Sequence, residues 1–258
     1  MTRAARPRTW FVALLTLCAL AAFDARAAAA PNAEALLQRS DVGAFAPSAF
    51  RARLALRTGP SAAPHQIEIW RAGQARTLVS FLDAKERGKY LLRLGGDLWL
   101  ITRGTKAPVR LNPSYRLYGG VTLDEVLGVR LAHAYIVKSA EAGQDVDGPL
   151  VTFELEAKES QALFPRVQYV VRTATERPLH AEYRLRSGRA ATAVEFVAWS
   201  DARPLYAKRV TVKDLLRKGE VTDVEVVELQ EHEVPDALFD LRDPSARQAL
   251  ERDLPTTR

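Results

Sequence analysis

Few of the 258 residues have the types and spacing that chemistry needs. The four histidines are His65, His133, His180 and His232. None has a second His, Cys or Asp at a metal-ligand spacing. His65 reads as a turn residue, and His232 stands between Glu231 and Glu233 in a charged tail. All four read as surface or half-buried side chains. Asp145-Val146-Asp147-Gly148 begins like a calcium loop. It lacks the further oxygen ligands and the closing Glu that such a loop needs, and reads as a plain β-turn. Glu154 and Glu156 share a strand face, as a pair of glycosidase carboxylates would. No aromatic sugar platform accompanies them, so a solvated face explains them. The sequence has no G-x-S-x-G elbow, no H-E-x-x-H, no phosphate-cradling glycine loop and no dinucleotide fingerprint. The expectation is a protein that is not an enzyme, with no cofactor and no metal.

The single cysteine, Cys18, lies in the N-terminal segment. That segment has Arg3, Arg6 and Arg8, then an apolar run over residues 10–23, then Ala25-Arg26-Ala27. Its three parts predict a cleavable secretory signal peptide over residues 1–27. The apolar run is shorter than the ~20 residues of a spanning helix. Leu17 stands before Cys18 where a lipid-attachment signal has a small residue, so Cys18 reads as part of the leader. Ala28 to Ala30 offer neighbouring cleavage sites. Removing the leader takes four arginines and one aspartate, and the formal net charge falls from +6 to +3. The expected mature chain, residues 28–258, has no thiol and so no disulfide framework or thiolate site. It must be held by a hydrophobic core, as a single exported domain.

The remaining basic residues are spread out. Arg51, Arg53 and Arg57 share one strand, and Arg184 and Arg186 another. They read either as solvated strand faces or as a docking patch for an acidic partner or anionic headgroups. Without a clustered basic face, nucleic-acid binding is not expected.

The elements around these residues are mostly strands. Asn32 caps a first helix over residues 33–39, with an acid early and a base late. The period then changes to two. Residues 50–57, 66–70 and 77–82 read as strands. Residues 89–94 and 97–101 form a hairpin about Gly95-Gly96, which supplies the positive φ such turns require. Residues 112–128 break the pattern. Asn112 to Gly120 is rich in Tyr and Leu and bounded by Pro and a Gly pair. Thr122-Leu123-Asp124-Glu125 is a capping box that opens a short helix. This stretch is expected to be an apolar flap. Strands resume over residues 150–157, 166–172, 178–186, 190–198, 205–215 and 221–229, joined by Ser187-Gly188 and Lys218-Gly219. Two short helical turns follow, near residues 234–240 and 244–250. The pattern predicts an all-β sandwich or barrel, its later strands an antiparallel meander.

Tyr90-Leu91-Leu92-Arg93-Leu94 and Leu98-Trp99-Leu100-Ile101 are apolar on both faces. A sheet apolar on both sides needs a cover on each. Short helices can cover one face. A curved face beneath a flap then holds packed side chains or an apolar ligand.

Leu78-Val79-Ser80-Phe81, Gly88-Lys89-Tyr90-Leu91-Leu92, Asp97-Leu98-Trp99-Leu100, Arg110-Leu111 and Gly119 to Val126 together resemble the periplasmic outer-membrane lipoprotein-sorting group, relatives of the carrier LolA. Val234-Pro235-Asp236-Ala237-Leu238-Phe239 is similar to that group's "I-P-D-x-x-F" ending. Thr-Leu-Asp-Glu-Val stands where the group has an aromatic acidic segment, and Trp99 is not followed by Tyr and Pro. The resemblance implies an unclosed antiparallel β-barrel, a LolA-like half-barrel, with short lid and terminal helices. It implies a periplasmic carrier for the acyl chains of a lipoprotein or for free lipid. An inner-membrane transporter is a candidate partner, and a monomer is expected. The cup wall is expected to include Leu54, Leu56, Ile67, Ile69, Leu92, Leu98, Phe153, Leu155, Tyr169 and Tyr183. Tyr115, Leu117 and Leu123 are expected in the lid. A one-residue error of register would move any strand's set to the other face. The alternative is an envelope sensor or adaptor that uses the same half-barrel to bind a protein.

Overall fold

The computed structural model describes residues 33–41, 47–105, 107–112, 114–127, 130–201, 205–217, 220–243 and 245–253. The leader with Cys18, the Asn32 cap and the Lys218-Gly219 turn lie outside them. Helix α1 (Ala33–Ser40) comes first. Strand β1 (Ala49–Thr58) follows and is the sixth strand across a 13-stranded antiparallel sheet. From it the chain meanders outward through β2 (His65–Ala72), β3 (Arg76–Phe81), β4 (Lys89–Leu94) and β5 (Asp97–Thr102) to the edge strand β6 (Val109–Leu111). It then crosses to the opposite edge. Strands β7 (Tyr135–Asp145), β8 (Gly148–Ala157), β9 (Arg166–Arg172), β10 (Arg177–Arg184), β11 (Ala190–Trp199), β12 (Ala207–Asp214) and β13 (Glu220–Glu231) meander back until β13 pairs with β1. Edges β6 and β7 do not pair, so the sheet stays open. This is the mainly β antiparallel architecture that the alternation predicts, and it is unclosed as the resemblance implies.

Most of the expected elements are present, and the hairpin about Gly95-Gly96 pairs Leu94 with Asp97, with φ +60° at Gly95. The alternation did not reveal β6 or β7. The crossing segment holds a 3-10 turn (Tyr118–Gly120), helix α2 (Leu123–Leu127) and a further short helix, α3 (Leu131–Ala134). A 3-10 turn (Asp236–Phe239) and helix α4 (Ser245–Asp253) end the described chain.

A flat sheet of 13 strands, about 4.8 Å apart, would span more than 50 Å. Leu98 near one edge and Tyr135 and Ala140 on the other nonetheless belong to one core, so the sheet is curled around it. Inward residues come from both halves: Leu54, Leu56, Ile67, Ile69 and Val79 on one side, Phe153, Leu155, Tyr169, Val171 and Tyr183 on the other. The crossing segment fills the hollow with Leu117, Val121, Leu123 and Leu131, and α1 adds Ala33 and Leu37. A second core lies on the outer face of β2 to β5. There Trp70, Leu78, Leu82, Tyr90 and Leu92 pack beneath Val234, Leu238 and Phe239 of the C-terminal segment. The two-faced apolar strands therefore have their two covers, as layer packing requires.

Leu92 corrects the expected cup wall. Strict alternation on β4 sends Leu91 inward and Leu92 outward, opposite Trp99, into the second core. The other nine expected wall residues line the inner side. Of the expected lid, Leu117 and Leu123 are buried in the inner core, but Tyr115 is 38 % exposed.

Candidate functional site

The inner face and its flap form the candidate site. On β1, Phe50, Ala52, Leu54 and Leu56 point inward, because every second residue of a strand shares a face. Their cross-strand partners on β13 include Leu229, Val226 and Val224, and those on β2 include Ile69 and Ile67. A cavity of about 80 Å³ remains under α2, lined by Phe50, Leu54, Val194, Phe196, Ala207, Val210 and Val226 among others. It is mainly apolar, with Glu125, Tyr183 and Tyr206 the polar exceptions. A larger cavity of about 400 Å³ opens beside it at the margin of the flap. Its wall mixes Arg93, His133 and Lys158 with Leu163, Phe164 and Tyr135. Glu125 and Tyr183 line both cavities and mark the boundary between them.

The flap is tied down by a small set of polar contacts. Its own structure is a tight turn: Arg116 bridges Thr122, and the Leu117 N–H donates to the Val121 carbonyl at 2.6 Å. The capping box forms as its spacing predicts. The Thr122 N–H donates to Glu125 Oε2 at 2.6 Å, and the Glu125 N–H donates to Thr122 Oγ1 at 3.2 Å. The other carboxylate oxygen of Glu125 is buried and has no hydrogen-bond partner.

Ties to the body of the protein include three formed by the turn and by the start of α3, besides those that Lys158 makes to the α3 carbonyls. Arg116 Nη1 lies 2.9 Å from Asp214 Oδ2 on β12, and also donates to the Gly120 carbonyl. Asp214 is buried, and its Oδ1 accepts from the Leu216 and Arg217 N–H groups. Gly120 adopts φ +77°, which brings its backbone against Arg116, Asp214 and Glu220. At the second tie the Tyr118 ring stacks on His65, centroids 3.8 Å apart and nearly parallel, and meets Phe81 edge-on. His65 Nδ1 lies 2.5 Å from Asp83 Oδ2. Burial, and then the negative charges of Asp83 and Glu86, push the Tyr118 phenol well above its usual range, so it stays neutral. At the third, Asp41 after α1 accepts the Ala132 N–H at 2.9 Å, the start of α3.

The residues first considered for chemistry are otherwise engaged. Glu154 accepts from Gln168 at 2.8 Å, and Glu156 pairs with Lys138 at 3.0 Å. His180 pairs with Glu195 at 2.7 Å. Asp145 to Gly148 is the β7–β8 turn, where the Arg172 guanidinium forks onto Asp145 at 2.9 and 3.0 Å. Arg51 and Arg53 flank Glu68, which is 1 % exposed. Among the described residues no group of three His, Cys, Asp or Glu is arranged to hold a metal ion. No helix among them is long and apolar enough to cross a membrane. Arg116 with Asp214, and His65 with Tyr118, escaped the sequence reading. These pairs are far apart in the chain, and no local pattern links them.

This architecture is shared with solved structures. A LolA superfamily protein of Nitrosomonas europaea is similar over 81 % of this chain and 97 % of its own, with a TM-score of 0.72 and 24 % identity. A putative outer membrane lipoprotein-sorting protein domain of Vibrio parahaemolyticus is similar over 85 % of this chain and 97 % of its own, with a TM-score of 0.64 and 14 % identity. A DUF1329 family protein of Desulfovibrio piger is similar over 80 % of this chain and 95 % of its own, with a TM-score of 0.65 and 16 % identity. The fold is therefore LolA-like, as the resemblance of its sequence motifs implies. A family model described as "Uncharacterized protein" matches residues 73–243, well over half of the chain, and the chain belongs to that family. No curated protein matches the chain.

Proposed function

We propose that the protein is a non-enzymatic periplasmic carrier that takes the acyl chains of a lipoprotein or lipid onto its inner face for transport toward the outer membrane. One observation carries this reading: an apolar lining drawn from both halves of an open sheet lies under a crossing segment tied at few polar points. An acyl chain gains ~0.8 kcal/mol for each CH₂ it buries. A soluble carrier must enclose most of that chain. The 80 Å³ cavity has room for only two or three waters' worth of volume, at about 30 Å³ each. Cargo must therefore replace Leu117, Val121 and Leu123 of the flap, exchanging one apolar contact for another. The 400 Å³ cavity is the natural mouth: its mixed rim, with His133, Lys158, Glu125 and Glu159, suits a polar end, while Leu163 and Phe164 begin the apolar path. The likeness to a lipoprotein-sorting domain supports the same reading.

The test is native mass spectrometry on protein purified from its own envelope, together with uptake of a fluorescent fatty acid. Co-purifying acyl chains and saturable uptake are expected. Ala207→Phe, which fills the 80 Å³ cavity, should cut uptake at least fivefold while the fold is kept. An empty protein that takes up no fatty acid would overturn the proposal.

The fullness of the hollow favours a second reading, an envelope adaptor that binds a protein partner with its flap closed. In that case uptake is absent and the flap stays protected throughout.

A further inference from the structure

We propose that the cavity on the outer side, between the β5–β6 turn and α4, binds a small oxyanion of the phosphate class through Arg247 and Arg242. The cavity measures about 330 Å³ and is walled by Tyr90, Ile101 and the turn after Thr102 on one side, and by the start of the C-terminal helix on the other. It belongs to the outer layer, so the inference stands apart from whatever occupies the inner face.

Arg247 is 2 % exposed. Its Nη1 donates to the carbonyls of Leu238, at 3.2 Å, and Asp240. Its Nε is buried without a hydrogen-bond partner, and it makes no ion pair among the described residues. Tyr90 donates its hydroxyl to the Arg247 carbonyl, which fixes the backbone that carries the guanidinium. The charges of Asp240 and Asp243 reach Arg247 without pairing with it directly, and each carboxylate accepts backbone N–H groups: Asp240 from Arg242 and Asp243, and Asp243 from Ser245. Burial pulls the Arg247 guanidinium below the usual arginine range, against the opposing fields of Tyr90, Asp240 and Asp243.

A guanidinium out of water, with its Nε unpaired and no direct ion pair among the described residues, is a costly arrangement unless a ligand completes it. Among the described residues the cavity wall supplies a further exposed cation, Arg242, and no carboxylate. A planar guanidinium fork matches the oxygens of a phosphate. The same chemistry would serve a free phosphate or the headgroup of an anionic phospholipid.

Inorganic phosphate titrated calorimetrically into the purified mature chain at constant ionic strength tests this. One saturable site per chain is expected, with no equivalent for chloride. Ala107→Trp fills the cavity, and Arg242→Ala removes an exposed cation without disturbing the core; each should weaken binding at least tenfold. Arg247→Lys should weaken it as well, because a point charge cannot replace the fork. Absence of saturable phosphate binding, or binding that Ala107→Trp and Arg242→Ala leave unchanged, overturns the proposal. Flotation with phosphatidylglycerol vesicles separates the two sources. Flotation abolished by Ala107→Trp assigns a headgroup, and phosphate saturation without flotation assigns the free anion.

Discussion

Glu68 sits on the outer face of β2, 1 % exposed, with Arg51 at 2.7 Å and Arg53 at 3.7 Å. The two sides of this contact differ. Arg51 is 37 % exposed and can turn to water when its partner is removed, whereas Glu68 cannot. Breaking a buried pair is costly mainly through the charge left behind. Arg51→Met should therefore cost ~2 kcal/mol in urea unfolding, and Glu68→Met less than ~1 kcal/mol. Arg57→Ala on the same strand should stay within ~0.5 kcal/mol. Equal losses for Arg51→Met and Glu68→Met would refute this account. The arginines were visible in the sequence as one strand face, but Glu68 was not, because the pairing needs the β1–β2 register. Leu92 failed for the same reason. Both faces of β4 are apolar, so composition carries no sign of which is inside. Asp145 gives a second test at this scale. The hydrogen bond from Arg172 holds its carboxyl below the ordinary value of 3.8. Its contribution is thus present above that value and is lost as pH falls through the depressed pKa. NMR titration should find Asp145 below 3.8, and Arg172→Gln should return it toward 3.8.

The crossing segment is the element on which the proposed cycle turns. Arg116 is its charged tie to Asp214. Removing Arg116 leaves the Asp214 contacts to the Leu216 and Arg217 N–H groups intact, so the β12–β13 turn survives. Arg116→Ala should speed hydrogen exchange of the Leu117 and Glu125 amides several-fold, with β1 and β13 unchanged. If cargo displaces the flap, fatty-acid uptake should accelerate in the same variant. Thr122→Ala removes one half of the capping box and should loosen α2 by about 1 kcal/mol. Unchanged exchange in both variants would mean that apolar packing alone holds the flap. The capping box was legible because it is local, three residues from donor to acceptor. Strand β7 was not, although it is 11 residues long. Its sequence, Tyr135 to Asp145, mixes Ala, Glu, Lys and Gly, all poor in β-propensity. A bulge between Val137 and Ser139 also breaks its alternation. Its place in the sheet depends on β8, to which it is joined by the tight turn at Asp147.

At the scale of the whole molecule the sheet separates two layers with different tasks. The flap and α1 fill the inner side, and the C-terminal segment covers the outer face of β2 to β5. Beyond those strands the outer face is polar, with Glu154, Gln168, Glu156 and Glu195 paired there, and needs no cover. Stability and uptake should therefore come apart under mutation. Phe239 is 5 % exposed in the outer core, with the Arg76 guanidinium 5.1 Å from its ring centroid. Phe239→Ala should cost ~3 kcal/mol by the usual cavity penalty for a buried aromatic. Uptake per folded molecule should not change. Ending the chain at residue 232 is the stronger version. It uncovers Trp70, Leu78, Tyr90 and Leu92, each no more than 3 % exposed in the intact protein. A contiguous apolar surface of that kind drives association. The shortened chain should bind a hydrophobic dye and self-associate on size-exclusion chromatography, while far-ultraviolet circular dichroism still reports the sheet. A truncated protein that stays monomeric and dye-free would show that the outer layer is dispensable. The two cores would then not be the separate supports that the alternating faces of β2 to β5 require.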